Sequence, residues 1–275
     1  MLPIKKSYLP RVALLLSALS LCPLAARAET VKFGANESPP CWSAQHRYNG
    51  MCGQIVQAIS KEMGLTTTIE FFPLSRLIED DSNNDLGNPA FFMPNQDFAA
   101  IIPIAVAHVA YFYYAPNRKH KVVLRNLNDL KGYRIGVLKG TLVEREPFSK
   151  AGITFEESYS QESLFNKLKL GRIDLCVELE LTGREVIKKL FPEEAGNFKN
   201  IVIPDSANPV AMMIDKRYPN AQALGRRYRE GLRRIIKNGT YQKILDEQYG
   251  TGNTPPDWFK ELHRFGRLYN FGATD

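Results

Sequence analysis

Six residues and one cysteine pair in this chain have types and spacings that could do chemistry: Trp42, Arg76, Gly140, Thr141, Glu178 and Glu180, with Cys41 and Cys52. Arg76 follows a β-branched and aromatic run and carries a planar fork of donors. Such a fork grips a carboxylate or phosphate through two parallel hydrogen bonds. Gly140-Thr141 ends an apolar run and is read as a strand-to-helix turn, where outward backbone N–H groups favour anions. Glu178 and Glu180 alternate, so on a persisting strand both point to one side and could hold a cationic group. Trp42 follows Pro39-Pro40 and offers either a flat stacking face or a core anchor, and the sequence leaves both open. Each of the others has a structural alternative as well: a paired surface Arg, an ordinary turn, two solvent-facing acids. Cys41 and Cys52 flank a short polar stretch, and in an oxidising compartment they are expected to pair as a disulfide, leaving Cys176 reduced, with two unpaired thiols as the alternative. His46, His108, His120 and His263 are scattered, with no HExxH or CxxC, so no metal site, cofactor or catalytic set is expected. No GK[ST] follows a glycine-rich loop, which argues against nucleotide hydrolysis.

The elements that must position these residues read as α/β. Val31 to Ala35 alternates as a strand, and Glu37-Ser38-Pro39-Pro40 stops it. Ile55, Val56, Ile59 and Met63 have helical spacing, ended by Gly64. Thr66 to Phe72 is a second strand. Asp80 to Pro89 reads as loop, and Ala99 to Tyr114 as two buried strands. Arg134 to Leu138 opens a second unit. Ser160 caps a helix carrying Leu164, Phe165 and Leu168, and Ile173 to Val177 is the next strand. Pro209 to Ile214 is strand-like. Leu224, Tyr228, Leu232 and Ile235 mark a long amphipathic helix whose arginines (226, 227, 229, 233 and 234) are read as a solvated face rather than a docking patch. A final helix carries Ile244, Leu245 and Tyr249, and the tail from Thr251 is expected to pack back through its aromatics.

Residues 1–28 read as a secretory signal: basic Lys5, Lys6 and Arg11, a short apolar core, then Ala26-Arg27-Ala28. Cleavage would leave Glu29 as the first residue. Lipid attachment at Cys22 is the alternative, disfavoured by Leu21 before it. The segment holds four basic residues and no acid, so the net charge of +7 falls to +3 for residues 29–275. The basic balance that would suggest nucleic acid therefore lies largely in the leader.

Five stretches, in order, resemble the family 3 extracellular solute-binding proteins, the type II periplasmic binding fold of polar amino-acid ABC transporters. They are Ser38-Pro39-Pro40-Cys41-Trp42; Gly50-Met51-Cys52-Gly53-Gln54-Ile55 on to Met63-Gly64; Asp129-Leu130-Lys131-Gly132 with Ile135-Gly136-Val137 and Lys139-Gly140-Thr141; Gly171-Arg172-Ile173-Asp174; and Asn238-Gly239-Thr240-Tyr241 to Tyr249-Gly250. The resemblance implies a two-lobed α/β fold with two interlobe crossings, expected near Tyr114 and near Asn208. That gives lobe 1 as 29–113 and 209–250, lobe 2 as 114–208, and a tail over 251–275. It implies a periplasmic, monomeric, non-enzymatic protein that captures a small polar solute between the lobes, for an ABC transporter membrane component or for sensing, with no nucleic-acid partner. The family's carboxylate-clamping Arg is missing, since the corresponding stretch is Met93-Pro94-Asn95-Gln96-Asp97. The position of its amino-group acid holds Leu179, and Gln54 replaces an Asp. These departures point away from a standard α-amino acid. A dehydratase-like enzyme using Glu178, Glu180 or His108, and a ligand-free interaction module, are the competing readings.

Overall fold

The computed structural model describes residues 29–79, 84–141, 145–203 and 206–269. The leader, its cleavage site and Cys22 lie outside the described residues.

The chain begins with β1 (Glu29–Ala35), whose Val31, Phe33 and Ala35 alternate inward as the sequence pattern requires. Then come α1 (Gly50–Glu62) and β2 (Leu65–Phe71), which lies parallel to β1. Between β2 and the next parallel strand is α2 (Leu74–Glu79), held down by fully buried Leu77. The stretch read as loop over Asp80 to Pro89 holds β3 (Asp85–Gly87), parallel to β1. Three residues are too few to show a period, and a buried Asp does not advertise a strand. After α3 (Pro89–Phe92) comes β4 (Phe98–Ala107). Pro103 lies inside β4 and does not break it, because β4 is an edge strand and its outer face makes no ladder. With β10 (Asn208–Asp215) this first sheet has the order β2-β1-β3-β10-β4.

The second sheet has the order β7-β6-β8-β5-β9. Its strands are β5 (Val109–Tyr114), β6 (Ile135–Leu138), β7 (Phe155–Ser158), β8 (Leu175–Leu179) and β9 (Phe198–Val202). Here β6, β7 and β8 are parallel, and β5 is antiparallel to β8 and β9. The helices of this lobe are α4 (Glu146–Lys150), α5 (Gln161–Lys169) and α6 (Glu180–Leu190). Ser160 caps α5, its Oγ accepting from the Ser163 N–H at 3.1 Å.

The change of sheet falls earlier than the sequence suggested. β4 ends at Ala107 and β5 begins at Val109 in the other sheet, so the first crossing is His108 and not Tyr114. The Ala115-Pro116-Asn117 turn attracted the reading by its chemistry, but it follows the crossing. The chain returns between Val202 and Asn208.

Each sheet is packed on both faces. The larger first-lobe core lies beneath α1, α7 (Ala221–Lys237), α8 (Thr240–Tyr249) and α9 (Trp258–Leu268), with Leu77, Phe92 and Met213 on the opposite face. In the second lobe the aromatic run of β5 divides by alternation. Phe112 and Tyr114 pack with Phe165 and Phe198, while Tyr111 and Tyr113 pack with Ile135 and Leu175. The tail is pinned by Trp258, which donates to the Tyr241 hydroxyl at 3.0 Å, and that hydroxyl donates to the Ile104 carbonyl at 2.7 Å.

Candidate ligand-binding cleft

Three parallel strands in each lobe end at comparable places, and in open α/β sheets ligands bind beyond such carboxyl ends. At the first lobe those ends lead into the loop holding Glu37, into Phe72 and α2, and into Asn88. At the second they lead into Lys139-Gly140-Thr141, Tyr159-Ser160 and Leu179-Glu180.

Arg76 is exposed on α2, with its guanidinium carbon 4.7 Å from the Phe72 ring centroid. It forms no ion pair among the described residues, which leaves its fork available. Trp42 is 2 % exposed and belongs to the first-lobe core. Its backbone pairs with Ser38 in both directions (2.8 and 3.0 Å), and this tight turn carries the ring inward. Of its two readings, core packing describes the structure. Beside it the Cys41–Cys52 disulfide is formed, and Cys176 is a buried free thiol. The Met51 and Cys52 N–H groups donate to Pro40 and Cys41 carbonyls, so the disulfide loop seats directly on the start of α1. Gly50 permits that contact: its φ is +90°, and a Cβ there would lie 2.5 Å from the Pro40 carbonyl oxygen.

Gly140 adopts φ +86° at the end of β6, but no helix starts at Thr141. The Thr141 N–H and its hydroxyl both donate to the Leu138 carbonyl, at 3.1 and 2.8 Å, closing a turn. The next described helix is the short α4. The expected strand-to-helix anion turn is thus replaced by a tight turn whose donors are partly used.

Glu178 and Glu180 are likewise separated. β8 ends at Leu179 and Glu180 opens α6, so the strand alternation that would align them does not persist. Glu178 accepts from the Gln161 amide at 3.0 Å and from the Leu179 N–H at 2.8 Å. Burial pushes its carboxyl above the ordinary range, against these two hydrogen bonds. Glu180 pairs with Arg184 at 2.7 Å, one turn along the helix. His108, at the crossing, lies 3.1 Å from Asp257 and accepts the Glu180 N–H through its carbonyl at 2.8 Å. The side chains of Glu178, Glu180 and His108 have different partners from one another. Among the described residues no three metal-ligating side chains cluster.

Three side chains went unnoticed in the sequence: Tyr159, Ser206 and Asn88. Tyr159 stands 85 % exposed immediately after β7, with the Lys139 ammonium 4.8 Å from its ring centroid. An aromatic wedged between two serines just before a helix cap was the available signal. At the crossings, Ser206 Oγ accepts from the Val109 N–H and donates to the Val109 carbonyl, at 3.1 and 3.2 Å. Asn88 reaches Asn208 at 3.4 Å beside them. Asp174, closing the Gly171-Arg172-Ile173-Asp174 stretch, is structural. Burial would raise its carboxyl, but hydrogen bonds from Arg134 and Arg118 outweigh that and hold it well below the usual carboxylate range.

No protein-family profile matches the chain, and no curated protein matches it. Solved structures do. An ancestral arginine-binding protein bound to arginine is 21% identical with a TM-score of 0.62, covering 80% of this chain and 98% of that one. The arginine-, lysine-, histidine-binding protein ArtJ from the thermophilic bacterium Geobacillus stearothermophilus is 19% identical with a TM-score of 0.61, covering 86% of this chain and 100% of that one. A histidine kinase sensor domain with similarity to periplasmic binding proteins is 18% identical with a TM-score of 0.63, covering 84% and 99%. The fold is therefore the two-lobed periplasmic-binding-protein fold, two five-stranded α/β lobes joined by two crossings.

Proposed function

We propose that the protein is an exported, periplasmic, monomeric solute-binding protein that captures a small polar ligand between its lobes, for ABC-type uptake or for sensing. The observation that carries this reading is the repeated architecture. Two sheets of matching strand order, each ending its parallel strands in loops and exchanging chain only at two short crossings, are built to close on a solute. The similar structures are amino-acid-binding proteins and a sensor domain, which supports both uses. The disulfide supports an oxidising compartment. Glu178, Glu180 and His108 are each committed elsewhere, which favours binding over catalysis.

Within this reading Arg76 is the anion-gripping residue of the first lobe, and the turn at Gly140-Thr141 is the segment of the second lobe proposed to meet the same ligand. A ligand shifts an open–closed equilibrium only through its differential affinity for the two states, and a group held from both lobes supplies that difference. Native mass spectrometry of protein purified from its own host is expected to show a retained small molecule. Arg76→Ala should weaken binding of that molecule by roughly 2–4 kcal/mol. It should cost less than about 1 kcal/mol of folding stability, since Arg76 is exposed. Calorimetry on both proteins decides this, and equal affinities would make Arg76 structural.

A further inference from the structure

β2 is the outer parallel strand of the first sheet, and β7 is the outer parallel strand of the second. Beyond the carboxyl end of each stands an aromatic ring with a cation over it: Phe72 with Arg76, and Tyr159 with Lys139. The second pair is fixed by the sheet itself. Leu138 and Ser158, the residues just before Lys139 and Tyr159, are register partners, and the Lys139 N–H donates to the Ser158 carbonyl at 2.9 Å. Tyr159 is more exposed than any other large apolar side chain described.

A single exposed ring is normal on a protein surface. Here it lies at a ligand-binding edge, its cation has no carboxylate partner among the described residues, and the opposite lobe repeats the arrangement. Three of the acids near these edges are engaged. Glu37 accepts from the Ala44 N–H at 2.8 Å, Glu178 from Gln161 and Leu179, and Glu180 holds Arg184. The edges present two rings and two cations that have no carboxylate partner among the described residues.

Resting on the solute-binding reading, we infer that the ligand is a planar aromatic carboxylate. Its ring is covered by Phe72 and Tyr159 when the lobes close, and its acid group is shared by Arg76 and Lys139. Each cation rests on a ring face, where attraction at an exposed site is weak and easily given up. The ligand exchanges both contacts: ring stacks on ring, and cation moves to carboxylate. An aliphatic amino acid would use neither ring.

The test is calorimetric titration of residues 29–275 with benzoate and 4-hydroxybenzoate. Cyclohexanecarboxylate, benzyl alcohol, L-arginine and L-glutamate serve as comparisons. Aromatic carboxylates are expected to bind at least about tenfold more tightly than the other four. Tyr159→Ala and Lys139→Ala should each weaken that binding about tenfold or more. Tyr159→Phe should stay within about threefold, and none of these exposed substitutions should move the ligand-free melting temperature. Tighter binding of L-arginine or L-glutamate, or parent-like affinity in Tyr159→Ala, overturns the aromatic-acid inference and leaves the solute-binding reading standing. If the panel fails and native mass spectrometry finds no retained molecule, both fall.

Discussion

Glu178 shows how a carboxylate can be site-like in sequence and occupied in structure. It lies in the second lobe with two hydrogen bonds to its oxygens, yet burial still raises its carboxyl above the ordinary value of 4.5. A raised folded-state value means that the folded protein binds the proton more tightly than the unfolded chain. Stability should therefore fall as pH rises from about 4.5 through the folded value, and the burial cost is then carried at neutral pH. Glu178→Gln removes the ionisation, and the Gln161 amide can turn to pair with it. The variant should lie within about 1 kcal/mol of the parent at pH 7 and lack that part of the pH slope. Urea unfolding between pH 4 and 8 measures it. Identical slopes in parent and variant would mean that the Glu178 carboxyl is not burdened by burial. Tyr159 is the opposite case: a residue that reads as ordinary in sequence and is left exposed beside an uncommitted lysine.

The loop from Cys41 to Cys52 is the element that ties the first strand's exit to the start of α1. Closing a loop of this size removes unfolded-state freedom worth on the order of 2–3 kcal/mol. Replacing both cysteines by serine should lower unfolding free energy by that amount. Alkylation of the unreduced, denatured chain from residue 29 should label Cys176 alone. Labelling of Cys41 and Cys52 without reductant would rule the bond out. The same element explains Trp42: pinned between the Ser38 bridge and the disulfide, its ring is carried into the core, where it is 2 % exposed. On α7, Arg227 reaches Glu29 in β1 and the Met63 carbonyl, while Arg233 and Arg234 both reach Glu230.

At the scale of the whole molecule the two lobes meet through short crossings that are bonded to each other. Ser206 in the return crossing makes both of its side-chain hydrogen bonds to Val109, the first residue past His108. If these crossings are the hinge, Ser206→Ala should loosen their mutual register without unfolding either lobe. Removing these bonds should cost roughly 1 kcal/mol locally, which corresponds to about fivefold faster hydrogen exchange at the Val109 amide. Exchange in the cores of both sheets should be unchanged. Parent-like protection at Val109 would mean that Ser206 does not hold the hinge.

What the sequence determined by itself is local. The alternation of Val31, Phe33 and Ala35, the spacing of Ile55, Val56 and Ile59, the Ser160 cap and the β-branched run before Phe72 all reflect interactions within a few residues, and each element stands where those patterns put it. The cysteine pair was legible for the same reason, its partners being eleven residues apart. Tertiary structure alone decided what depends on distant partners. Asp85 to Gly87 became a strand only because β1 and β10 flank it. His108 became the crossing because β5 finds its ladder on β8 and β9, a choice with no turn residue to announce it. Glu178 and Glu180 parted because β8 ended where α6 began. Tyr159 and Lys139 came together because β6 and β7, which precede them, lie side by side in register. Periodicity and turn chemistry are written in neighbouring residues, whereas strand order, exposure and the pairing of charges are set by contacts that exist only once the chain has closed on itself.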